Sequence, residues 1–420
     1  MTQSRRRFLK ITAGAIVTPL ISHRQVEATP QLKPEMSVLV WAPHSIIGAQ
    51  NRGVRIDKDL IRSWIRHCGD HGVTSIFWRG SYVGAATYHS KVLPVLEYAE
   101  RARYDRGDEF GGKVRESLPG WKLSLKEFNG IAQAIKAFDV LDVARNEAGK
   151  RNLPFYADLA PFDKYFPGLE ERYYEAHPDL WLWSRSQKTR YRGIPCYAEP
   201  GAREHLLAEA RELLQRGVDG ISLGLLSHMG DGPAKGEASY GFNPPVVALF
   251  KKRWGIDILK EDFDSSKLSE LNGEMFTGML KDLRQMLGSR KKLIAPIVLG
   301  EGNAAKRWGS DETGKFVIFG GSYRINLEWP RWIEEGIADD LLVMPLASSN
   351  AVSKVQNGIK RHLGKGRVFL MRKLREREML TTLQSELEAV RAGGLDGYVL
   401  SEHRDFEPAH TSWCELLSKD

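Results

Sequence analysis

The sequence predicts an α/β fold, a (β/α)8 barrel with long loops on its C-terminal face. Three observations predict it. After Pro34, short runs of β-branched and aromatic residues alternate with helical patterns, as in repeated βα units. Eight such runs occur, which is the number of strands in a closed barrel of this class. No glycine-rich phosphate loop follows any of them, which disfavours the alternative of a doubly wound open sheet.

The predicted strands are short, and helical patterns lie between them. The strands are Ser37–Trp41, Ser75–Trp78, Phe155–Asp158, Gly220–Leu225, Leu293–Leu299, Asp340–Met344, Val368–Arg372 and Asp396–Leu400. The helices are Asp57–His71, Phe138–Arg151, Ala202–Arg216, Pro244–Trp254, Gly273–Leu287, Trp329–Glu335, Ala351–Leu363 and Leu380–Ala392. A glycine stands near the end of several of these helices, where a left-handed residue often terminates a helix.

Two connections in this pattern are much longer than the others. They run from Arg79 to about Ala137 and from Leu159 to Gly201. Both leave the C-terminal ends of predicted strands, the side on which barrel enzymes build their sites. We therefore expect a roofed cleft that takes a large ligand.

The first 29 residues have the pattern of a twin-arginine export signal. Arg5 and Arg6 lie in a basic segment, Ile11–Ile21 is a short apolar run, and residues 26–28 resemble a signal-peptidase site. The apolar run is too short to span a bilayer as a helix. An amphipathic N-terminal helix is the alternative interpretation. We therefore predict one domain over residues 30–420, the Tat translocase as a partner during export, and a periplasmic or secreted mature chain without a membrane span.

The charge of the chain is modest once this segment is set aside. The formal net charge is +8, and residues 1–29 hold five basic residues and one acid, so about +4 remains on the rest. No basic run with interleaved aromatic residues stands out, and we expect no nucleic-acid partner. The three cysteines, Cys68, Cys196 and Cys414, allow at most one disulfide and lack the spacing of a zinc site.

Motifs in the middle of the chain resemble a known family. They are His177-Pro178-Asp179-Leu180-Trp181, Ala198-Glu199-Pro200-Gly201, Gly217-Val218-Asp219-Gly220-Ile221, Tyr240-Gly241-Phe242-Asn243-Pro244 and residues 250–257, followed by Trp332–Gly336 before Asp340–Val343. Their order resembles the glycosyl-hydrolase-like barrels called family 10-like, over about residues 35–410. The resemblance implies a (β/α)8 fold, a carbohydrate substrate and hydrolysis by carboxyl groups.

One position departs from that family. In such barrels the strand after Val-Asp-Gly-Ile often ends in an aspartate, whereas Gly224 stands at the expected place here. A glycosidase needs two carboxyl groups beside the scissile bond, one protonated and one ionised. Either the catalytic acids lie elsewhere in this chain, or the catalysis is absent.

Three acids follow predicted strands and are the candidate catalytic residues: Asp158, Glu301 and Glu402. Glu301 and Glu402 follow predicted strands five and eight. The large retaining-glycosidase clan also takes its acid/base and nucleophile from strands three apart. We predict Glu301 and Glu402 as the catalytic pair and Asp158 as the substitute for either. The alternative for each acid is a helix cap or an ion pair with a neighbouring basic residue.

Several polar and aromatic residues at the same strand ends are candidates for substrate binding. They are His44, Arg79, Tyr82, Glu199, His228 and Arg372. Arginine binds carboxylate and sulfate groups with two parallel hydrogen bonds, so Arg79 and Arg372 suggest an anionic glycan. Glu199 precedes a predicted helix, and an electrostatic role in its first turn is the alternative.

Two other functions stay open at this point. The missing acid at Gly224 allows a non-catalytic glycan-binding protein on a degenerate glycosidase barrel. Convergence of His44, Asp158, His228 and Glu301 would instead allow a metal-dependent sugar isomerase or epimerase. The sequence contains no local ligand spacing such as HExxH, and no G-x-S-x-G turn for a serine nucleophile. We therefore predict a glycoside hydrolase without metal or cofactor.

Overall fold

The computed structural model describes residues 33–96, 132–133, 135–166, 169–170, 172–225, 233–237, 239–300, 313–346, 350–373 and 380–401. Eight parallel strands within these ranges close into a barrel, with each strand paired to its neighbours in chain order and the first paired to the last. The predicted (β/α)8 barrel is confirmed.

The barrel strands lie close to their predicted positions. They are β1 (Glu35–Trp41), β2 (Ser75–Arg79), β3 (Phe155–Leu159), β4 (Gly220–Leu223), β5 (Lys292–Leu299), β6 (Asp340–Pro345), β7 (Arg367–Lys373) and β8 (Gly397–Ser401). The fourth strand is shorter than predicted and ends before Gly224. The amide of Gly224 still donates to the carbonyl of Leu159, 2.8 Å away, so the chain continues along β3 beyond the strand end.

The helices surround the barrel on its outside. They are α1 (Ala42–Asn51), α2 (Lys58–Asp70), α3 (Val140–Lys150), α4 (Arg172–Ala176), α5 (Pro200–Gln215), α6 (Pro244–Trp254), α7 (Ser265–Leu287), α8 (Trp329–Glu334), α9 (Ala351–Gly358) and α10 (Leu380–Ala389). Short 3-10 turns span Pro178–Leu180 and Lys360–His362, and a π-turn spans Val390–Gly394. No helix in these ranges is both long and apolar enough to cross a membrane.

Small antiparallel hairpins occupy the loops that leave the C-terminal ends of the barrel strands. Their strand pairs are Ser81–Tyr82 with Ala85–Ala86, Tyr165–Phe166 with Leu169–Glu170, Trp181–Trp183 with Arg190–Pro195, and Phe316–Phe319 with Tyr323–Asn326. The first three lie in the two long connections that the sequence singled out. These connections are therefore folded in the described parts rather than plain loops.

Strand alternation decides which side chains fill the barrel. Phe77 points inward, with its ring 5.2 Å from that of Tyr156 and 6.3 Å from that of Phe369. Its neighbour Trp78 points outward and packs on Phe155 at 5.7 Å. Successive residues of a strand face opposite sides, so Arg79 points inward again at the C-terminal end of β2.

The N-terminal end of the barrel is closed by ion pairs. Asp340 accepts hydrogen bonds from Arg367 Nη2 at 2.7 Å and from Lys292 Nζ at 2.9 Å, and Arg367 also contacts Glu35. Burial alone would raise the pKa of Asp340, but the two cations hold it below its usual value. These charges stabilise the end of the barrel opposite the loops.

Candidate functional site

The C-terminal end of the barrel contains a buried pair formed by Arg79 of β2 and Asp158 of β3. Arg79 Nε donates to Asp158 Oδ2 at 2.6 Å, and Arg79 Nη2 contacts the same oxygen. The two residues are 3% and 1% exposed. A guanidinium this far from water needs a close counter-charge, which Asp158 supplies.

Gly224 makes room for this pair. A Cβ atom built on Gly224 would lie 1.9 Å from Arg79 Nη2 and 3.5 Å from Asp158 Oδ2. No side chain fits in that space while Arg79 keeps its position. The arginine side chain from β2 occupies the place where an acid was expected from the sequence, and this explains why position 224 has no side chain.

Aromatic rings continue the pair toward the loops. The guanidinium carbon of Arg79 lies 4.4 Å from the centre of the Trp41 ring. The His44 ring stacks on the Trp41 ring, with the ring centres 4.9 Å apart and an interplanar angle of 12°. Tyr82 meets His44 edge-on at 5.1 Å. We call Trp41, His44, Arg79, Tyr82, Asp158 and Gly224 the barrel-mouth cluster. The structure thus brings together four of the predicted site residues: His44, Arg79, Tyr82 and Asp158.

The free side of the pair faces a very small space. Asp158 Oδ1 and Arg79 Nη1 have no hydrogen-bond partner among the residues that the structure describes. A cavity beside them offers about 10 Å³ to the centre of a water molecule, which is room for one water. Burial raises the pKa of Asp158, and the Arg79 guanidinium opposes that rise. In this arrangement Asp158 holds Arg79 and borders a space too small for a sugar ring.

Arg372 lies apart from this cluster. Met371 lines the cavity inside the barrel, so the next residue of β7 faces the helices. Arg372 Nε lies 3.0 Å from Glu386 Oε2 of α10, and the Tyr398 hydroxyl donates to the same oxygen at 2.9 Å. The carboxylate of Glu386 therefore balances the charge of Arg372 between β7 and α10. The structure therefore does not bring Arg372 to Arg79, as a shared anion site would require.

Glu199 stands at the N-terminus of α5 and belongs to a network that holds loops. Asn243 Nδ2 lies 3.4 Å from Glu199 Oε1 and donates to the carbonyl of Trp181 at 2.9 Å. Burial raises the pKa of Glu199, while the Asn243 amide opposes the rise. The side chain of Glu199 makes no hydrogen bond to the first turn of α5.

Glu301, Glu402 and His228 lie outside the described residues. Their positions relative to the strands are nevertheless defined by the chain. Glu301 comes two residues after the end of β5, and Glu402 directly follows β8. The strand numbers on which the predicted catalytic pair depends are confirmed.

A large cleft lies in the loops on the same side of the barrel. It measures about 910 Å³ and is formed by the connections that follow β3 and β4. The described residues of its walls include four cations and one carboxylate, that of Glu175. We call it the cationic cleft and define it by Tyr165, Trp183, Lys188, Arg190, Arg192 and Lys235.

The cationic cleft was not predicted, although a motif in the sequence indicates it. Lys188-Thr189-Arg190-Tyr191-Arg192 is a short basic stretch with an interleaved aromatic residue. On the strand Arg190–Pro195, residues 190 and 192 share one face, whereas Tyr191 points to the other and is buried. Basic runs in the sequence were weighed only as evidence for a nucleic-acid partner, and this one was not singled out.

The described residues give no support to a metal site. No group of three or more His, Cys, Asp or Glu side chains within those ranges is arranged to hold a metal ion. Asp158, one of the four residues considered for a metal, is already paired with a guanidinium, and a second cation beside Arg79 would be repelled.

Comparisons with known proteins give likenesses of fold. No protein-family model matches the chain, and no curated protein matches it. Among solved structures, it is similar to the GH20 exo-β-N-acetylglucosaminidase of Vibrio harveyi, with 10% identity, a TM-score of 0.47, and coverage of 93% of this chain and 55% of that one. It is also similar to the catalytic domain of β-amylase from Paenibacillus polymyxa, with 11% identity, a TM-score of 0.46, and coverage of 91% and 97%.

A third such structure is the β-N-acetylhexosaminidase of Bacteroides fragilis, with 11% identity, a TM-score of 0.45, and coverage of 92% of this chain and 65% of that one. The chain thus spans about half the length of the Vibrio enzyme. These activities belong to those proteins, and the barrel described above rests on the strand pairing of this chain.

Proposed function

We propose that this protein is an exported glycoside hydrolase and that Glu301 and Glu402 are its catalytic carboxyl groups. The observation that carries the proposal is the closed eight-stranded barrel, in which Glu301 comes two residues after β5 in the sequence and Glu402 directly after β8. Both acids therefore leave strands at the end where barrel enzymes place their catalytic groups. Export rests on the twin-arginine pattern of residues 1–29.

The chemistry assigns different protonation states to the two acids. One carboxylic acid protonates the leaving oxygen of the glycosidic bond, and the other, ionised, acts as nucleophile or activates a water. A separation of about 5–5.5 Å between them would give retention of configuration, and about 6.5–9.5 Å would give inversion. The barrel-mouth cluster lies at the C-terminal end of the barrel and holds its arginine by an internal ion pair.

The size and wall of the cationic cleft support a saccharide substrate. A volume of about 910 Å³ accommodates several sugar rings more readily than one small metabolite. The half-buried Trp183 is among its lining residues, and aromatic side chains pack against the apolar faces of sugars. Because the cleft lies in loops that follow barrel strands, it lies on the side of the barrel at which β5 and β8 end.

The test is release of reducing ends from a panel of neutral, uronic and sulfated polysaccharides. We expect the wild type to cleave at least one of them and Glu301→Gln and Glu402→Gln each to lose at least about a hundredfold in rate. Glu388→Gln, an exposed acid of α10, is the matched control and should keep full activity. Release that survives both site variants would rule out this choice of residues.

A non-catalytic glycan-binding protein is the second candidate. It is favoured by the filled position at Gly224, where the guanidinium of Arg79 replaces the acid of the family pattern. In that case no polysaccharide of the panel releases reducing ends, yet at least one binds, and neither glutamine variant weakens the binding. Turnover by the wild type would exclude it.

A further inference from the structure

The cations Lys188, Arg190 and Lys235 of the cationic cleft differ from the buried or half-buried arginines of the barrel. Arg79 is paired with Asp158, Arg372 with Glu386, and Arg367 with Asp340. Within the ranges that the structure describes, no carboxylate lies within ion-pair distance of Lys188, Arg190 or Lys235. Glu175 is the one acid among the described residues of the cleft wall, so the charge of these residues is positive. A cleft with this charge attracts anions.

The arginines of the cleft are held flat on aromatic rings. The guanidinium of Arg190 lies 4.5 Å from the ring centre of Trp183, its partner across the hairpin, and that of Arg192 lies 4.0 Å from Tyr165. Stacking orients the planar group and leaves its N–H edge to donate hydrogen bonds. Arg190 Nε is buried and has no hydrogen-bond partner among the described residues. The stacking therefore orients an N–H donor of Arg190 that has no acceptor among the described residues.

Hydrogen bonds keep the walls of the cleft in place. Gln187 Nε2 donates to the carbonyls of Ser184 at 3.1 Å and Phe242 at 2.9 Å, and the Tyr240 hydroxyl accepts from the Ala234 amide at 2.9 Å. These bonds join the turn of the hairpin to the connection after β4, which carries Lys235. The loops that carry the cations are thus joined before a ligand binds, which lowers the entropic cost of ordering them on binding.

The spacing of the cations suits a chain with repeated charges. Arg190 and Arg192 are two apart on the strand Arg190–Pro195, so their Cα atoms are separated by about 7 Å, and Lys188 lies in the turn that precedes this strand. A single small anion would meet one of these cations, whereas a longer polymer with a charge on successive units would meet several. The half-buried ring of Trp183 beside Arg190 adds surface for the apolar face of a sugar ring.

We infer that the cationic cleft is a binding site for a linear anionic saccharide, whose carboxylate or sulfate groups are bound by Lys188, Arg190, Arg192 and Lys235. This inference deepens the proposed function and rests on it for the saccharide class of the ligand. It also moves the proposed anion recognition away from Arg79 and Arg372, which are paired with carboxylates. In the cleft, Lys188, Arg190 and Lys235 have no carboxylate within ion-pair distance among the described residues.

The experiment is titration calorimetry of the full chain with three hexasaccharides at equal ionic strength. One carries carboxylates (an oligogalacturonide), one carries sulfates (a heparin-derived hexasaccharide), and one is neutral (cellohexaose). We expect at least one anionic hexasaccharide to bind about tenfold or more tightly than the neutral one. Binding of only one anionic ligand would identify the group, and binding of both would show recognition of charge.

Variants locate the site. Arg190→Gln and Lys235→Gln, which come from opposite walls, should each weaken the anionic ligand about tenfold, since each removes a hydrogen bond to a charged group. Lys365→Gln removes an exposed charge at the opposite end of the barrel and should bind as the wild type does. Arg190→Lys keeps the charge and loses the planar fork, so it should fall between wild type and Arg190→Gln. Equal melting temperatures would confirm that all four variants fold.

Two results would overturn the inference. One is equal affinity for the neutral and anionic hexasaccharides, and the other is unchanged affinity in both Arg190→Gln and Lys235→Gln. If either occurs while the wild type releases reducing ends, the proposed function stands and this site falls. If the cleft binds the anionic ligand as expected and no polysaccharide is cleaved, the site stands and hydrolysis falls.

Discussion

The barrel-mouth cluster and the cationic cleft both place arginines on aromatic rings, yet they differ in how the charge is balanced. In the cluster, Arg79 lies on Trp41 and is neutralised by Asp158 in a space for one water. In the cleft, Arg190 lies on Trp183 without a carboxylate partner among the described residues and faces a volume of about 910 Å³. An arginine stacked on an aromatic ring therefore stabilises the fold when a carboxylate balances its charge, and it is available to bind an anionic ligand when none does.

The largest effect should come from removing the counter-charge in the cluster. Asp158→Ala leaves the buried guanidinium of Arg79 without a partner, and we expect it to lower the free energy of unfolding by about 3–5 kcal/mol. Chemical denaturation measures this loss. Replacing both residues, with Arg79→Met and Asp158→Leu, removes both charges and should cost less than the single change. A single variant within about 1 kcal/mol of wild type would show that the pair is not needed.

A pH series tests the compensated charges at the other end of the barrel. The pKa of Asp340 is lowered in the folded state, so its contribution is complete above the unfolded value, about 3.9, and is lost as pH falls through the folded value. Asp340→Asn should therefore cost about 1.5–3 kcal/mol near neutral pH. The difference between wild type and variant should shrink as the pH falls below about 4. A difference that does not change with pH would contradict this role.

A methyl group added at Gly224 tests the close approach of Arg79. Gly224→Ala places a Cβ where Arg79 Nη2 lies, and overpacking of this kind costs about 1–3 kcal/mol. Gly149→Ala is the matched control, because its Cβ meets nothing within 4 Å in α3. In a helix that exchange should stabilise the protein by about 0.5–1 kcal/mol. Opposite signs in thermal denaturation would confirm the crowding, and equal effects would refute it.

The smallest effect on stability should come from the cleft. Arg190→Gln removes a cation with no carboxylate partner within the described ranges, so the free energy of unfolding should stay within about 0.5 kcal/mol of wild type. The same change should weaken binding of an anionic saccharide, as set out above. If Arg190→Gln lowered the free energy of unfolding as much as Asp158→Ala, the cleft and the barrel-mouth cluster would not differ in how their arginines contribute to stability.

The barrel was predictable because each strand is a short buried run between helical patterns, and eight such runs leave few arrangements. Helix α1 was missed, although Pro43 in its first turn is a common helix start. Helix α7 begins at Ser265, earlier than predicted, because Asp264 caps it by accepting from the Ser266 amide at 2.9 Å. The hairpins in the loops were missed because their strands are too short to show a period.

The site was predictable only where strand position decides it. His44, Arg79, Tyr82 and Asp158 follow or end neighbouring strands, and strand order alone brings them together. The direction of Arg372 was not predictable, since a shift of one residue in register exchanges the inner and outer faces of a strand. The need for glycine at position 224 was not predictable from the local sequence, because it depends on the side chain of Arg79 in β2, which is distant in the sequence.

The space at Gly224 also constrains how this protein can change. A carboxylate cannot be introduced there by a single substitution, because the guanidinium of Arg79 already fills the position. Shortening Arg79 first would leave the carboxylate of Asp158 buried without a cation. A carboxylate at position 224 therefore requires at least two coordinated changes, and each single change should lower the stability of the protein.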